Sequence, residues 1–149
     1  MCIRDRMNIN RLIEQIKKDE GFSPVAFWDR KQWTYGYGCK APRKGATITE
    51  HEAEELLWDE IEEAIKDFET LYYDCRDHIN DVRAEALINM TFNMGITVMR
   101  TFRKMNAAIE LDDWKEASLQ AKQSDWYYQV GNRAKRICRE LLTGVKEAT

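Results

Sequence analysis

Glu20 and Asp29 stand nine residues apart, with one chain reversal between them. A helix end, a loop and a strand can bring two such carboxylates to face each other across a groove. Paired carboxylates flanking a bond are the equipment of glycoside hydrolysis: one protonates the leaving oxygen, and the other orients a water or attacks the sugar. Glu20 directly precedes Gly21 at the end of a helical pattern. The negative pole of the helix repels a carboxylate there, and local rules favour Lys or Arg. A residue that breaks a local rule flags a functional position. The same repulsion works against the charged form, and a general acid has to carry its proton. The plain alternatives are an exposed Glu at a frayed helix end and an Asp that only serves the turn in "WDRKQW".

Thr34 opens the strand after that turn, and its hydroxyl can hold a water or bond a carboxylate, although threonine also simply suits a strand. Gly36 and Gly38 alternate with Tyr35 and Tyr37. Glycines on one strand face admit another backbone or a sugar, or merely allow packing. Phe27, Trp28, Trp33, Tyr35 and Tyr37 could stack on sugar rings or fill a core. Arg133, Lys135, Arg136 and Arg139 place four cations on the last helix. Other chemistries lack their motifs: there is no phosphate-binding Gly loop, no Gly-x-Ser-x-Gly and no His-Glu-x-x-His. Cys2, Cys39, Cys75 and Cys138 form no Cys-x-x-Cys, and His51 and His78 are not spaced as zinc ligands, so neither a metal nor a cofactor is expected.

The elements that must position these residues follow from pattern. Ile9, Leu12, Ile13 and Ile16 have helical spacing, and Gly21 is placed to end that helix. "SPVAFWDRKQWTYGYGC" reads as a β-hairpin turning at Asp29–Gln32. Thr49 and Glu52 form a capping box for a helix from about Glu50 to Tyr73, burying Ala53, Leu56, Leu57, Ile61, Ala64, Ile65, Phe68 and Leu71. Asp81 is expected to cap a helix that stops at Gly95. One further helix carries Met99, Phe102, Met105 and Ile109. Asp112 is expected to cap another through Trp114, Ala117 and Ala121, and "RAKRICRELL" makes a last one stopping at Gly144.

With 149 residues, the chain has the length of one domain. It is long enough to bury about 68–70% of its unfolded surface. Apolar residues make up 44% and charged residues 33%, which is a globular composition. No apolar run is long enough to span a membrane, and the charged start does not resemble an export signal. Residues 1–89 carry 13 Lys/Arg against 19 Asp/Glu, and residues 90–149 carry 10 against 7. That basic excess is a weak footprint for nucleic acid, so none is expected as partner. The first six residues look dispensable, with Met7 as the natural start.

"DEGFSPVAFWDRKQWTYGYGC" resembles the active-site segment of the phage-type lysozymes, the muramidase family that includes the T-even phage endolysin. "ALINMTFNMG" resembles that family's central buried helix, and "WKEASLQAKQSDWYYQVGNRAKR" its C-terminal signature. The likeness runs from Met7 to about Gly144.

The resemblance implies an α+β lysozyme fold. It would have a small N-terminal lobe with one hairpin (7–57), a long connecting helix and a mainly helical C-terminal lobe (58–149). It also implies roles: Glu20 as general acid, Asp29 as nucleophile or as the base that positions water, and Thr34 assisting at the water site. Arg133 would pair with Glu20, Phe92 would line the cleft, and Gln120 would offer an amide where the family more often has Asn. The chain departs from the family in three places. Four residues rather than five separate Asp29 from Thr34, Cys39 stands where His is usual, and Lys40–Thr49 is short, so that one hairpin should be missing or reduced.

The expected activity is hydrolysis of the β-1,4 bond between N-acetylmuramic acid and N-acetylglucosamine in peptidoglycan; the stereochemical outcome depends on the separation of the two carboxylates, and the resemblance leans toward inversion. The expected protein is a monomer without stable membrane association, made in the host cytoplasm and acting on the wall after lysis begins. The alternatives are a catalytically impaired peptidoglycan-binding protein of the same fold, a lytic transglycosylase and a helical interaction module.

Overall fold

A computed structural model describes residues 8–147 of the chain; the expectation for the first six residues lies outside them. Its order of elements is helix, three strands, long helix and a run of shorter helices, an α+β lysozyme-like fold. The chain divides into two compact units, residues 9–63 and residues 64 onward. No helix among the described residues is long and apolar enough to cross a membrane.

In the first unit, α1 (Ile9–Glu20) buries Leu12, Ile13 and Ile16, one apolar stripe at helical spacing. Gly21 ends it with φ +71°, its N–H donating to the Lys17 carbonyl at 2.9 Å. The sheet is antiparallel in the order β1 (Ser23–Asp29), β2 (Gln32–Gly36), β3 (Cys39–Lys40). The expected hairpin is β1–β2, and β3 adds a third strand of two residues. Phe27 pairs with Thr34, Trp28 with Trp33 and Asp29 with Gln32, and the register shifts between Ser23 and Phe27. The chain after β3 returns along the outer edge of β1. Ala26 N–H donates to Ala46 O at 2.8 Å and Ile48 N–H to Pro24 O at 3.0 Å.

The long helix α2 (Glu50–Leu71) starts at the expected capping box. Thr49 Oγ1 accepts from Glu52 N–H at 3.1 Å, and Glu52 Oε1 accepts from Thr49 N–H at 3.1 Å. Ala53, Leu57, Ile61, Ala64, Ile65 and Phe68 are buried as expected, but Leu56 is 39% exposed and Leu71 only half-buried. The helix ends two residues before Tyr73.

In the second unit, α3 (Asp81–Met94) is buried continuously from Ala84 to Thr91 and forms its centre. Its cap is Asn80, not Asp81: the Asn80 side chain accepts from Arg83 N–H at 2.9 Å. The expected single helix through Met99 and Ile109 is two, α4 (Ile96–Thr101) and α5 (Arg103–Glu110), broken at Phe102, where ψ turns to 57°. Asp113, not Asp112, caps α6 (Trp114–Lys122). Asp112 is left-handed at φ 58° and accepts from Trp114 Nε1–H at 2.6 Å instead. Ser124 caps the short α7 (Asp125–Val130), and α8 (Asn132–Thr143) ends at the left-handed Gly144.

Candidate active site

Glu20 is the last residue of α1, half-buried, with its carboxylate against the backbone of Gly38. A Cβ on Gly38 would lie 3.1 Å from Glu20 Oε2, and Gly38 has φ +90°. Glycine is therefore favoured there by conformation, and its missing side chain also leaves room for the Glu20 carboxylate. Gly36 (φ +62°) similarly lets α2 approach, since a Cβ there would be 3.0 Å from Ala53 Cβ.

The end of α1 is fastened to the strands and to α2 by side chains around Tyr37. The buried Tyr37 hydroxyl donates to Glu50 Oε1 at 3.2 Å, and its ring meets Phe22 at 5.4 Å between centroids. Lys17 Nζ lies 5.8 Å from the centre of that ring and 3.2 Å from Glu54 Oε1. These ties fix the turn of helix from which Glu20 projects.

Asp29 ends β1, exposed, beside a two-residue connection of Arg30 and Lys31. Arg30 takes up the left-handed conformation at φ 50°, and the Lys31 N–H turns back to the Asp29 carbonyl. The short Asp29–Thr34 interval is thus accommodated as a tight hairpin end. Directly opposed residues share a face of the sheet. Asp29, Gln32, Phe27 and Thr34 therefore lie on one face, and Trp28, Trp33, Tyr35 and Cys39 on the other. Thr34 is 2% exposed, and its Oγ1 has no hydrogen-bond partner among the described residues. A buried hydroxyl without a partner is costly and marks a place for a water or a ligand atom.

Cys39 is a buried thiol whose S–H donates to Glu60 Oε1 at 3.2 Å. Burial, then the bond and charge of Glu60, then the charge of Glu20, push this thiol up to about 12. Glu60 keeps one side open to solvent, yet its carboxyl is raised, chiefly by burial of the other side; the Cys39 bond opposes the rise and the Glu20 charge adds to it. Glu20, Cys39 and Glu60 are therefore one electrostatic group. Sequence reasoning singles out Cys39 but misses Glu60, one of eight acids between Glu50 and Glu63 with nothing to distinguish it.

The other three candidate residues belong to the helical unit. Arg133, in the first turn of α8, donates through Nε to Asn89 Oδ1 at 2.9 Å. Phe92 is half-buried one turn further along α3 from Asn89. Gln120 of α6 donates to Glu116 Oε1 at 2.7 Å and lines a groove of about 880 Å³ with Asn93, Phe102, Ser124 and Trp126. Trp126 Nε1–H donates to Asn93 Oδ1 at 2.8 Å across that groove. Among the described residues no group of three or more His, Cys, Asp or Glu side chains is arranged to hold a metal ion.

Comparison with known proteins gives this arrangement a family. The family model described as "Phage lysozyme" matches residues 17–140. Two proteins of Dictyostelium discoideum, "Probable T4-type lysozyme 1" and "Probable T4-type lysozyme 2", are 33% identical over 107 residues and 31% over 108; each alignment covers 68% of this chain and 61% of the relative. The "Pre-baseplate central spike protein Gp5" of Enterobacteria phage T4 is 28% identical over 163 residues, covering 92% of this chain and 28% of that protein. The chain thus spans less than two thirds of the length of each of these relatives. With helix-end Glu20, hairpin Asp29 and strand Thr34 all inside the matched region, the chain belongs to the phage lysozyme family.

Proposed function

We propose that this chain is a muramidase that hydrolyses the β-1,4 bond between N-acetylmuramic acid and N-acetylglucosamine in peptidoglycan. The observation that carries the reading is the seating of Glu20: a carboxylate held at a helix C-terminus against a glycine backbone. That is an unfavourable place for a structural residue and a well-defined one for a proton donor. Glu20 protonates the glycosidic oxygen as the bond breaks. Asp29, exposed on the hairpin, stabilises the developing positive charge on the sugar ring and either activates water or attacks the ring. Thr34, on the sheet face of Asp29, supplies a hydroxyl for that water.

Two carboxylates and a water suffice for this chemistry, so the reaction calls for no cofactor. Phe92, Gln120 and Arg133 are substrate-binding residues in this reading. The protein works as a monomer, is made in the host cytoplasm and reaches the wall when lysis begins.

The test is clearing of permeabilised Gram-negative cells, with reducing ends counted in the supernatant. Glu20→Gln is expected to lower the rate by about 10²–10⁴-fold, the usual worth of a general acid, while still pelleting with purified peptidoglycan. Clearing by Glu20→Gln at the wild-type rate overturns the assignment. Wild-type protein that pellets with peptidoglycan and releases no reducing ends instead identifies a binding protein of the same fold.

A further inference from the structure

The free end of the β1–β2 hairpin presents a large aromatic ring on each face. Trp28 is 57% exposed on one face, edge-on to Trp33 at 5.5 Å between centroids, and Phe27 is 48% exposed on the other. A strand pair normally keeps one face for the core and gives the other to water. Here Trp28 and Phe27 stand exposed on opposite faces, and large exposed aromatics at one place mark an interaction surface. The surrounding charge is one-sided. Residues 23–48 carry five cations, Arg30, Lys31, Lys40, Arg43 and Lys44, against the single carboxylate of Asp29. All five cations are exposed, and none forms a salt bridge among the described residues. Arg30 and Lys31 sit at the very tip, one of them in a left-handed conformation that turns the chain tightly between the aromatic positions.

Indole rings flanked by unpaired Arg and Lys suit the interface of an anionic bilayer. Trp is enriched at that depth because one edge is apolar and the other can hydrogen-bond to headgroups. Basic side chains beside it are drawn to the negative surface potential. The geometry points to the hairpin tip as a peripheral docking finger for membranes bearing anionic phospholipid headgroups. Trp28 and Phe27 enter the headgroup boundary, and Arg30 and Lys31 pair with phosphates. The contact is reversible and spans nothing, because a few rings and a handful of cations give only modest adsorption. It goes beyond the expectation of no stable membrane association by adding a reversible contact. The docking surface shares its sheet face with Asp29, so a docked hairpin is not engaged with glycan, and vesicle binding is read independently of hydrolysis.

Sedimentation of the full chain with vesicles tests it. Vesicles of equal phosphatidylglycerol and phosphatidylcholine are expected to carry the protein down at low salt, and pure phosphatidylcholine is not. High salt should release it, since the attraction is screened. Arg30→Glu combined with Lys31→Glu should weaken binding by about tenfold or more, given the attraction each cation has for such a surface. Trp28→Ala should weaken it severalfold with the charge unchanged. All three positions are exposed, and circular dichroism of each variant confirms that it is folded. The proposal is overturned if wild type fails to sediment with anionic vesicles, if it binds neutral ones as well, or if either variant sediments like wild type. Sedimentation with peptidoglycan but not with vesicles also overturns it, and makes the finger a glycan contact.

Discussion

The Glu20 carboxylate rests on Gly38, where a single added methyl group would stand 3.1 Å from Oε2. Gly38→Ala therefore has two effects. It forces a side chain into φ +90°, costing roughly 1–2 kcal/mol, and it crowds the Glu20 carboxylate, which must give by a few tenths of an ångström. A displacement of about 1 Å can lower a rate by about a hundredfold, so this smaller shift should lower it by less. Urea denaturation should show the first loss, and cell clearing a fall in rate of up to about tenfold. A variant that clears cells normally would mean that Glu20 does not depend on this seat.

Thr34→Val separates stability from activity. Valine has the shape of threonine without the unpartnered hydroxyl. The variant should stay within about 1 kcal/mol of wild type in stability, because the shape is kept and no hydrogen bond to the described residues is lost. It should also lose most of its lytic rate if the hydroxyl holds the reacting water. A variant that clears cells at the wild-type rate would show that the hydroxyl does not hold the reacting water.

Glu60 makes stability depend on pH in a stated direction. Its carboxyl is raised in the folded protein, with burial the first cause. The folded state therefore holds a proton that the unfolded chain releases at about pH 4.3. Between that pH and the raised value the unfolded state binds fewer protons, so stability falls as pH rises. Glu60→Gln removes this loss and keeps an acceptor for the Cys39 thiol. The stability of the variant relative to wild type should grow from about pH 4 upward through the weakly acidic range. Urea titrations at a series of pH values measure it, and a flat or falling difference contradicts the cause assigned.

The buried thiols should be inert in the folded protein. Cys39 is pushed up to about 12 and Cys138 up to about 11, each chiefly by burial, and Cys75 is raised by burial and by the nearby Glu110. The reactive species is the thiolate, which is scarce under these conditions. Iodoacetamide at neutral pH should label residues 39, 75 and 138 slowly in native protein and quickly in urea, read by peptide mass spectrometry. Rapid native labelling of Cys39 would place it in a looser environment than its bond to Glu60 implies.

Where the pattern of residues is unambiguous, the elements are legible in the sequence. Leu12, Ile13 and Ile16 with Gly21 mark α1, and Thr49 with Glu52 marks the start of α2, because each signal has one physical solution. The cap positions of α3 and α6 mislead for a shared reason. Asn80–Asp81 and Asp112–Asp113 each offer two adjacent side chains able to cap, and only backbone torsion decides between them. The break at Phe102 carries no glycine or proline, so helical spacing continues straight across it. The strand β3 is too short to show an alternation. At the site, Glu20, Asp29 and Thr34 stand out by type and spacing, whereas Glu60 emerges only when the fold sets it beside Cys39.

The return of residues 46–48 along β1 bears on how the protein behaves when crowded. The bonds of Ala26 to Ala46 and of Ile48 to Pro24 occupy the outer rim of the sheet up to the point where the hairpin projects. Past that point the unpaired backbone runs only from Phe27 to Asp29, and it ends in a charge. So short a stub is a poor template for a strand from a second molecule. That rim of the sheet should consequently not recruit a strand from a second copy, despite the aromatic side chains displayed beside it.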